Sequence, residues 1–264
     1  MAISSRYCGD RNGVASGLQL VGGAPHNDVI AASTIGTGQL IDAALNLGAD
    51  RIIVCLGGSA TTDGGLGAVQ AITVPARLKR VEFLVACDVT TNFLDAADVF
   101  AAQKGATATQ IKFLTTRLTG TAEHYRQRFN VDVTRIAGSG AAGGLAGGLF
   151  ALGATLMPGF DIVAEEVGLY AAMENCDVIV TGEGQLDDTS FDGKVVGSIA
   201  ALGKQQRKTV HAICGDVHAS AHTHMKRLGL SATSLRDTFG DDGLTATTRC
   251  VEQAAAQWLA AREA

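Results

Sequence analysis

Four places along the chain gather residue types that handle anions and protons. The loop Gly57-Gly58-Ser59-Ala60-Thr61-Thr62-Asp63-Gly64-Gly65 directly follows the apolar run Arg51–Leu56. Small residues between a strand and a helix leave backbone N–H groups open to an anion, with the helix dipole behind them. Hydroxyls of Ser59, Thr61 and Thr62 and the Asp63 carboxylate add side-chain chemistry. A tight strand-to-helix turn capped by Asp63 explains the same letters equally well. The run Ala137–Gly148 holds six glycines in twelve residues. Its Gly138, Ser139, Gly140, Gly143 and Gly144 suit either a backbone cradle for phosphate or a small-residue helix packed against a neighbour. It lacks the lysine of a Walker A loop. The third place is Thr181-Gly182-Glu183-Gly184-Gln185-Leu186-Asp187-Asp188, closed by Gly193-Lys194. Glu183 and Asp187 suit Mg²⁺, which takes one or two carboxylates together with phosphates and water. Lys194 suits phosphate as a point charge. A cap explains one carboxylate but not the cluster, so a site is expected here. The fourth is two separate and weaker spots, Asp88 beyond the run Glu82–Cys87 and Lys104 ahead of a helix. Alone, each is more often a cap or a solvated charge. His218, His222 and His224 lack a third ligand at metal-site spacing and read as surface histidines.

The elements that must position these groups alternate in type. Arg51–Leu56, Glu82–Cys87, Asp177–Thr181 and Thr209–Cys214 are near-continuous apolar runs, as expected for strands of a parallel sheet covered on both faces. Helices are expected over 38–47, 66–72, 107–128, 141–152, 162–173, 195–206 and 244–261. In the third of these, Ile111, Leu114, Leu118 and Tyr125 share one face. The pattern is α/β. A weak division separates a glycine-rich part, residues 1–160, from a Rossmann-like remainder, residues 161–264.

Composition excludes several classes. The chain has 264 residues, 47% apolar and 18% charged, with a net charge of −5. That is too apolar for a disordered tail, and neither the charge nor the 5% aromatic content suits nucleic acid. No apolar run approaches the ~20 residues of a membrane helix. Residues 1–22 show no basic tip before an apolar core, so a cytoplasmic location is expected. The six cysteines form no CxxC pair and read as reduced, mostly buried thiols.

Taken together the blocks resemble the glycerate kinase family, of the two-domain α/β type. GGSATTDGG (Gly57–Gly65) resembles that family's GGSATNDGG, and ACDVTTNFL (Ala86–Leu94) its ACDVTNPL. FAAQKGAT (Phe100–Thr107) resembles FGPQKGA, AGSGAAGGL (Ala137–Leu145) resembles GAGAAGGLG, and Val180–Lys194 resembles TGEGRIDxQTxxGK. STIGTGQLIDAAL (Ser33–Leu45) resembles the S-x-GTGELI helix. The resemblance implies ATP-dependent phosphoryl transfer to D-glycerate, with 2-phosphoglycerate favoured as product and Mg²⁺ as cofactor. It implies that Gly57, Gly58, Ser59, Gly138, Ser139, Gly140, Gly143 and Gly144 bind nucleotide or substrate. Glu183 and Asp187 would orient Mg²⁺, and Lys104 and Lys194 would neutralise anions. Asp63, ahead of Asp88, would accept the hydroxyl proton. Glycerate and ATP are the implied partners, with no nucleic acid or membrane, and self-association is left open. The family's PDSFKGS-like and ADGGEGT-like segments do not occur here, so the first sheet is expected to lack its leading strands. Gln185 stands where the family has Arg, losing a bidentate donor. The alternative is a truncated, inactive relative serving as an anion-binding or interaction module. A nicotinamide-dependent oxidoreductase ranks last, because no strand leads into Gly138–Gly143.

Overall fold

The computed structural model describes residues 2–4 and 7–263. They fall into two compact units, Met1–Gly159 and Phe160–Ala264. Both units are α/β with parallel sheets.

Unit 1 is built on a five-stranded sheet in spatial order β1 (Ala2–Ser4), β2 (Tyr7–Arg11), β3 (Arg51–Cys55), β4 (Glu82–Ala86) and β5 (Thr155–Met157). Strands β2 to β5 run parallel, and β1 is antiparallel to β2. Ile52, Ile53 and Val54 of β3 are all buried, as a strand covered on both faces requires. β3 is not left without a partner on its outer side. β2 lies along it from Tyr7 opposite Arg51 to Arg11 opposite Cys55. Its sequence, Tyr-Cys-Gly-Asp-Arg, has no apolar run to announce a strand.

One core cluster packs Ile41, Leu45, Leu145 and Leu149 against Ile52, Val54 and Val85. A second gathers Phe93, Leu114, Leu118 and Tyr125. The Ala108–Phe129 helix supplies the last three, opened by a Thr107/Gln110 capping box and closed by Asn130 in the left-handed region. The single helix expected over 141–152 is instead a 3-10 turn, Ala141–Gly144, and an α-helix, Leu145–Ala151. Ala142, Gly143 and Gly144 all have positive φ, which no continuous helix accommodates.

Unit 2 carries β6 (Val178–Thr181), β7 (Gln185–Leu186), β8 (Thr209–Cys214), β9 (Asp216–Val217) and β10 (Leu230–Ser234). β10, β8 and β6 form a parallel sheet in that order, and β7 pairs with β9. The helix expected over 162–173 divides into Gly159–Glu166 and Leu169–Glu174, because Gly168 turns left-handed between them. His211 of β8 is buried, its Nδ1 2.7 Å from Ser231 Oγ and its Nε2 3.0 Å from Thr233 Oγ1 of β10. Its ring stacks on Trp258 of the Thr247–Glu263 helix at 4.3 Å between centroids. Burial holds this imidazole below the ordinary histidine pKa. Cys87, Cys176, Cys214 and Cys250 carry free thiols, the last two buried; the Cys8 side chain lies outside the described residues. Among the described residues no helix is long and apolar enough to cross a membrane.

Candidate active site

In unit 1 the chain leaves β3 and β4 into the loops Leu56–Ser59 and Cys87–Val89. Parallel strands ending side by side create a crevice at their carboxyl ends, where ligands of open α/β sheets bind. Here the crevice is a cleft of about 460 Å³, lined by Leu18, Gly57, Gly58, Ser59, Cys87, Asp88, Phe100, Gln103, Lys104 and Ala142 among others. Gly57 has no positive φ, and a Cβ built on it would meet nothing within 4 Å. Neither backbone conformation nor packing requires glycine there, and its backbone is open to the cleft.

Lys104 is the unusual group in this wall. It is only 3% exposed, and its Nζ donates to the Thr61 carbonyl at 2.7 Å. Asn27 holds the Lys104 and Ala60 carbonyls through Nδ2, fixing the segment. Burial pulls the ammonium pKa down to about 8, with the Asp63 charge opposing. A desolvated cation beside a cleft binds an anion more strongly than a hydrated one does.

The two candidate proton acceptors have different surroundings. Asp63 is buried and its carboxylate accepts five donors: Thr34 N and Oγ1, Ser33 Oγ, Gly65 N and Gly67 N. It closes the turn into the Leu66–Ala71 helix and is not among the cleft residues. Asp88 lines the cleft, is exposed, and accepts one hydrogen bond from Gly159 N at 2.7 Å. Of the two candidate acceptors, Asp88 is the one that lines the cleft.

Gly138, Ser139, Gly140, Gly143 and Gly144 are all buried. The N–H groups of Ser139, Gly140 and Gly144 already donate to Ile136, Thr91 and Gly140 carbonyls, and Ser139 Oγ donates to Ile136 O. A Cβ on Gly140 would collide with the Asn92 carbonyl, and one on Gly143 with the Thr61 carbonyl. Gly140 and Gly143 allow chain segments to pack closely. Only Ala141 and Ala142 of this run reach the cleft, Ala142 in a strained left-handed conformation (φ 52°).

In unit 2 the third loop separates its residues. Glu183 lines a cleft of about 600 Å³ at the carboxyl ends of β6 and β8. Its Oε1 is buried without a hydrogen-bond partner. Asp187 instead caps the 3-10 turn Asp188–Phe191 and accepts Thr189 Oγ1 at 2.7 Å, which holds its carboxyl below the usual range. Lys194 Nζ donates to the same Thr189 hydroxyl at 2.7 Å. Asp187 and Lys194 thus satisfy each other through Thr189, and neither belongs to the cleft wall. His224 stacks on Phe191 and meets Arg227, while His218 bonds Ser220. Among the described residues no three His, Cys, Asp or Glu side chains converge as a metal site.

The sequence pattern of the glycerate kinase family matches residues 13–76 and 73–260. The chain belongs to the glycerate kinase family. It is 37% identical over 235 residues to the glycerate 2-kinase of Escherichia coli K12, covering 77% of this chain and 61% of that protein. It is 35% identical over 235 residues to the glycerate kinase of Halalkalibacterium halodurans, covering 77% of this chain and 62% of that one. The chain thus spans about three fifths of the length of these curated relatives. A solved Salmonella typhimurium LT2 structure, described as a glycerate kinase 2, superposes with a TM-score of 0.72 at 31% identity. That superposition covers 96% of this chain and 77% of the other. Of the blocks that carry the family resemblance, GGSATTDGG, ACDVT and QKGA converge on the unit 1 cleft through Gly57–Ser59, Asp88 and Lys104. The glycine-rich 137–148 block packs beneath it. Sequence reasoning did not single out Leu18, Phe100 or Cys87 as cleft residues; their apolar character reads as core.

Proposed function

We propose that this chain transfers the γ-phosphoryl group of ATP to a hydroxyl of D-glycerate, releasing ADP and 2-phosphoglycerate. The observation that carries the reading is the buried Lys104 in the wall of the unit 1 cleft, beside the open backbone of Gly57 and Gly58 and the free side of Asp88. In this reading Lys104 holds an anionic group of the acceptor or donor, a carboxylate or phosphate oxygen. Gly57, Gly58 and Ser59 offer backbone and hydroxyl groups at close range. Asp88 accepts the proton that the attacking hydroxyl loses, while that oxygen bonds to phosphorus and the ADP oxygen departs with its electron pair. Phosphoryl transfer asks the protein chiefly for positioning and charge stabilisation, and these groups supply both. Glu183 lines its own cleft, while Asp187 caps a turn and shares the Thr189 hydroxyl with Lys194.

The test is ADP release by the folded chain with ATP and Mg²⁺, with and without D-glycerate. Glycerate-dependent release, with 2-phosphoglycerate identified as product, supports the reading. A folded chain that binds both compounds without turnover would instead be a binding module.

A further inference from the structure

Two segments that wall the unit 1 cleft, Gly57–Ser59 and Gln103–Lys104, are tied together by a residue outside every block that carries the family resemblance. Asn27 follows the 3-10 turn Ala24–His26 and is not among the cleft residues. Its side-chain NH₂ donates to the Ala60 carbonyl at 3.0 Å and to the Lys104 carbonyl at 2.9 Å. Lys104 Nζ closes the ring by donating to the carbonyl of Thr61, the neighbour of Ala60. The turn before Asn27 is seated on the same segment. Gly105 has φ +99°, and a Cβ on it would collide with the Ala24 carbonyl.

The chemistry fits asparagine narrowly. Two carbonyls face this group, so it must bring two N–H donors on a short stem. Aspartate offers only acceptors, and serine a single donor. The same demand fixes which way round the amide lies. Its Oδ1 is then buried without a hydrogen-bond partner. An acceptor buried unpaired costs stability, so stability alone does not account for the arrangement. We infer that Asn27 is a positioning residue of the unit 1 cleft, holding the Lys104 segment against the Gly57–Gly65 loop and so keeping the Lys104 ammonium out of water. The use of that placement, holding an anionic group during phosphoryl transfer, rests on the kinase reading above. Asp63 acts on this ammonium through its charge, and Asp88 lines the same cleft. Asp98 and His26 belong to the helix and the turn packed against 102–104. All four stay in place in the variants below.

The test reads the protonation of Lys104 in the intact chain without substrate, by NMR of ¹³C-labelled lysine side chains. The Lys104 signal is the one missing from Lys104→Met. With a pKa of about 8, about one tenth of Lys104 is protonated at pH 9. In Asn27→Ala that fraction should rise above about one half, because a loosened segment returns water to the ammonium. Arg117→Met is the matched control: it removes a tie of the same kind, Nη2 to the Ile30 carbonyl at 2.8 Å, away from Lys104. It should leave the fraction near one tenth. Where ADP release is found, kcat/KM for glycerate at pH 7 should fall about tenfold in Asn27→Ala relative to that control. An unmoved fraction or an unmoved kcat/KM in folded Asn27→Ala overturns the inference. An equal rise in Arg117→Met does the same, since it marks a merely structural tie. If Asn27→Ala does not fold, Asn27→Ser, with one donor for two carbonyls, is read by the same criteria. If neither folds, Asn27 holds the unit and not the lysine, and the inference falls. The two readings fail separately. A raised fraction without glycerate-dependent ADP release removes the kinase and keeps the positioning role. Release with an unmoved fraction keeps the kinase and removes the role of Asn27.

Discussion

The two clefts occupy equivalent places, each at the carboxyl ends of parallel strands, and differ in the charge that shares their lining with glycine. The unit 1 cleft shares its lining between Gly57 and a desolvated ammonium, Lys104; the unit 2 cleft shares its lining between Gly184 and Glu183, which has a buried oxygen without a donor. Topology marks both as places where something binds. The buried charge decides what: a cation that has lost its water calls for an anion, and an acceptor without a donor calls for hydroxyl or amino groups. Holding Lys104 with its pKa reduced from 10.5 to about 8 costs the free chain about 3 kcal/mol. That cost, and the orphaned acceptor in unit 2, mark both sites as built against stability.

The sharpest way to break this comparison is to remove the reactive side of unit 1. Asp88→Asn should lower glycerate-dependent ADP release by about 10²–10⁴-fold with little change in melting temperature, because Asn retains an acceptor for Gly159 N–H. Asp63→Asn should instead destabilise unit 1 by about 2 kcal/mol or more, since it disturbs five hydrogen bonds to a buried carboxylate. Normal melting with lost turnover in Asp63→Asn would return the proton acceptor to that residue. Lys104→Met should cost about 10²–10³-fold in turnover. It should also raise the melting temperature, because a buried charge is gone; calorimetry and steady-state rates on one preparation check both.

Glycine substitutions come next. Gly57→Ala should leave stability within about 0.5 kcal/mol and weaken substrate binding, whereas Gly143→Ala should unfold unit 1, its new Cβ driven into the Thr61 carbonyl at φ +67°. Equal melting of the two variants would erase the distinction between open and packed glycines. The smallest effect is that of pH. Anion binding by Lys104 needs the protonated form, so the glycerate KM should rise about tenfold per unit above pH 8. The unfolded chain holds more protons than the folded chain between about 8 and 10.5. Unfolding free energy should therefore rise across that window and lose the rise in Lys104→Met.

Strands β3, β4 and β8 were legible because a strand buried on both faces must be apolar throughout; β6, at the edge of its sheet with Val180 exposed, was legible from its apolar letters alone. β10 was not, because Leu-Ser-Ala-Thr-Ser reads as a loop until His211 is seen hydrogen-bonded to its Ser231 and Thr233 hydroxyls. The limit at the site has the same character. Gly57–Ser59, Asp88 and Lys104 stood in recognisable blocks, and the fold brings them to one cleft. Gly138–Gly144 carried an even denser glycine signal and is buried, with only Ala141 and Ala142 of the run at the cleft, because the letter G records a missing Cβ and not what takes its space. Asp187 and Lys194 stand close in sequence, and Thr189 between them ties each to the other.

Trp258 is the sole tryptophan of the chain, and it lies on the helix whose Val251 walls the unit 2 cleft. Stacked on the buried His211, it is a fluorophore in contact with a titratable quencher, and unit 1 has no counterpart. Emission excited near 295 nm, the usual tryptophan-selective wavelength (about 295 nm), therefore watches one half of the molecule alone. As pH falls below the ordinary histidine value of 6.5, an imidazole kept neutral by burial gains a proton on unfolding, so acid favours the loosening of unit 2. The chain thus carries its own optical reporter, able to time the loosening of one unit while the other is silent.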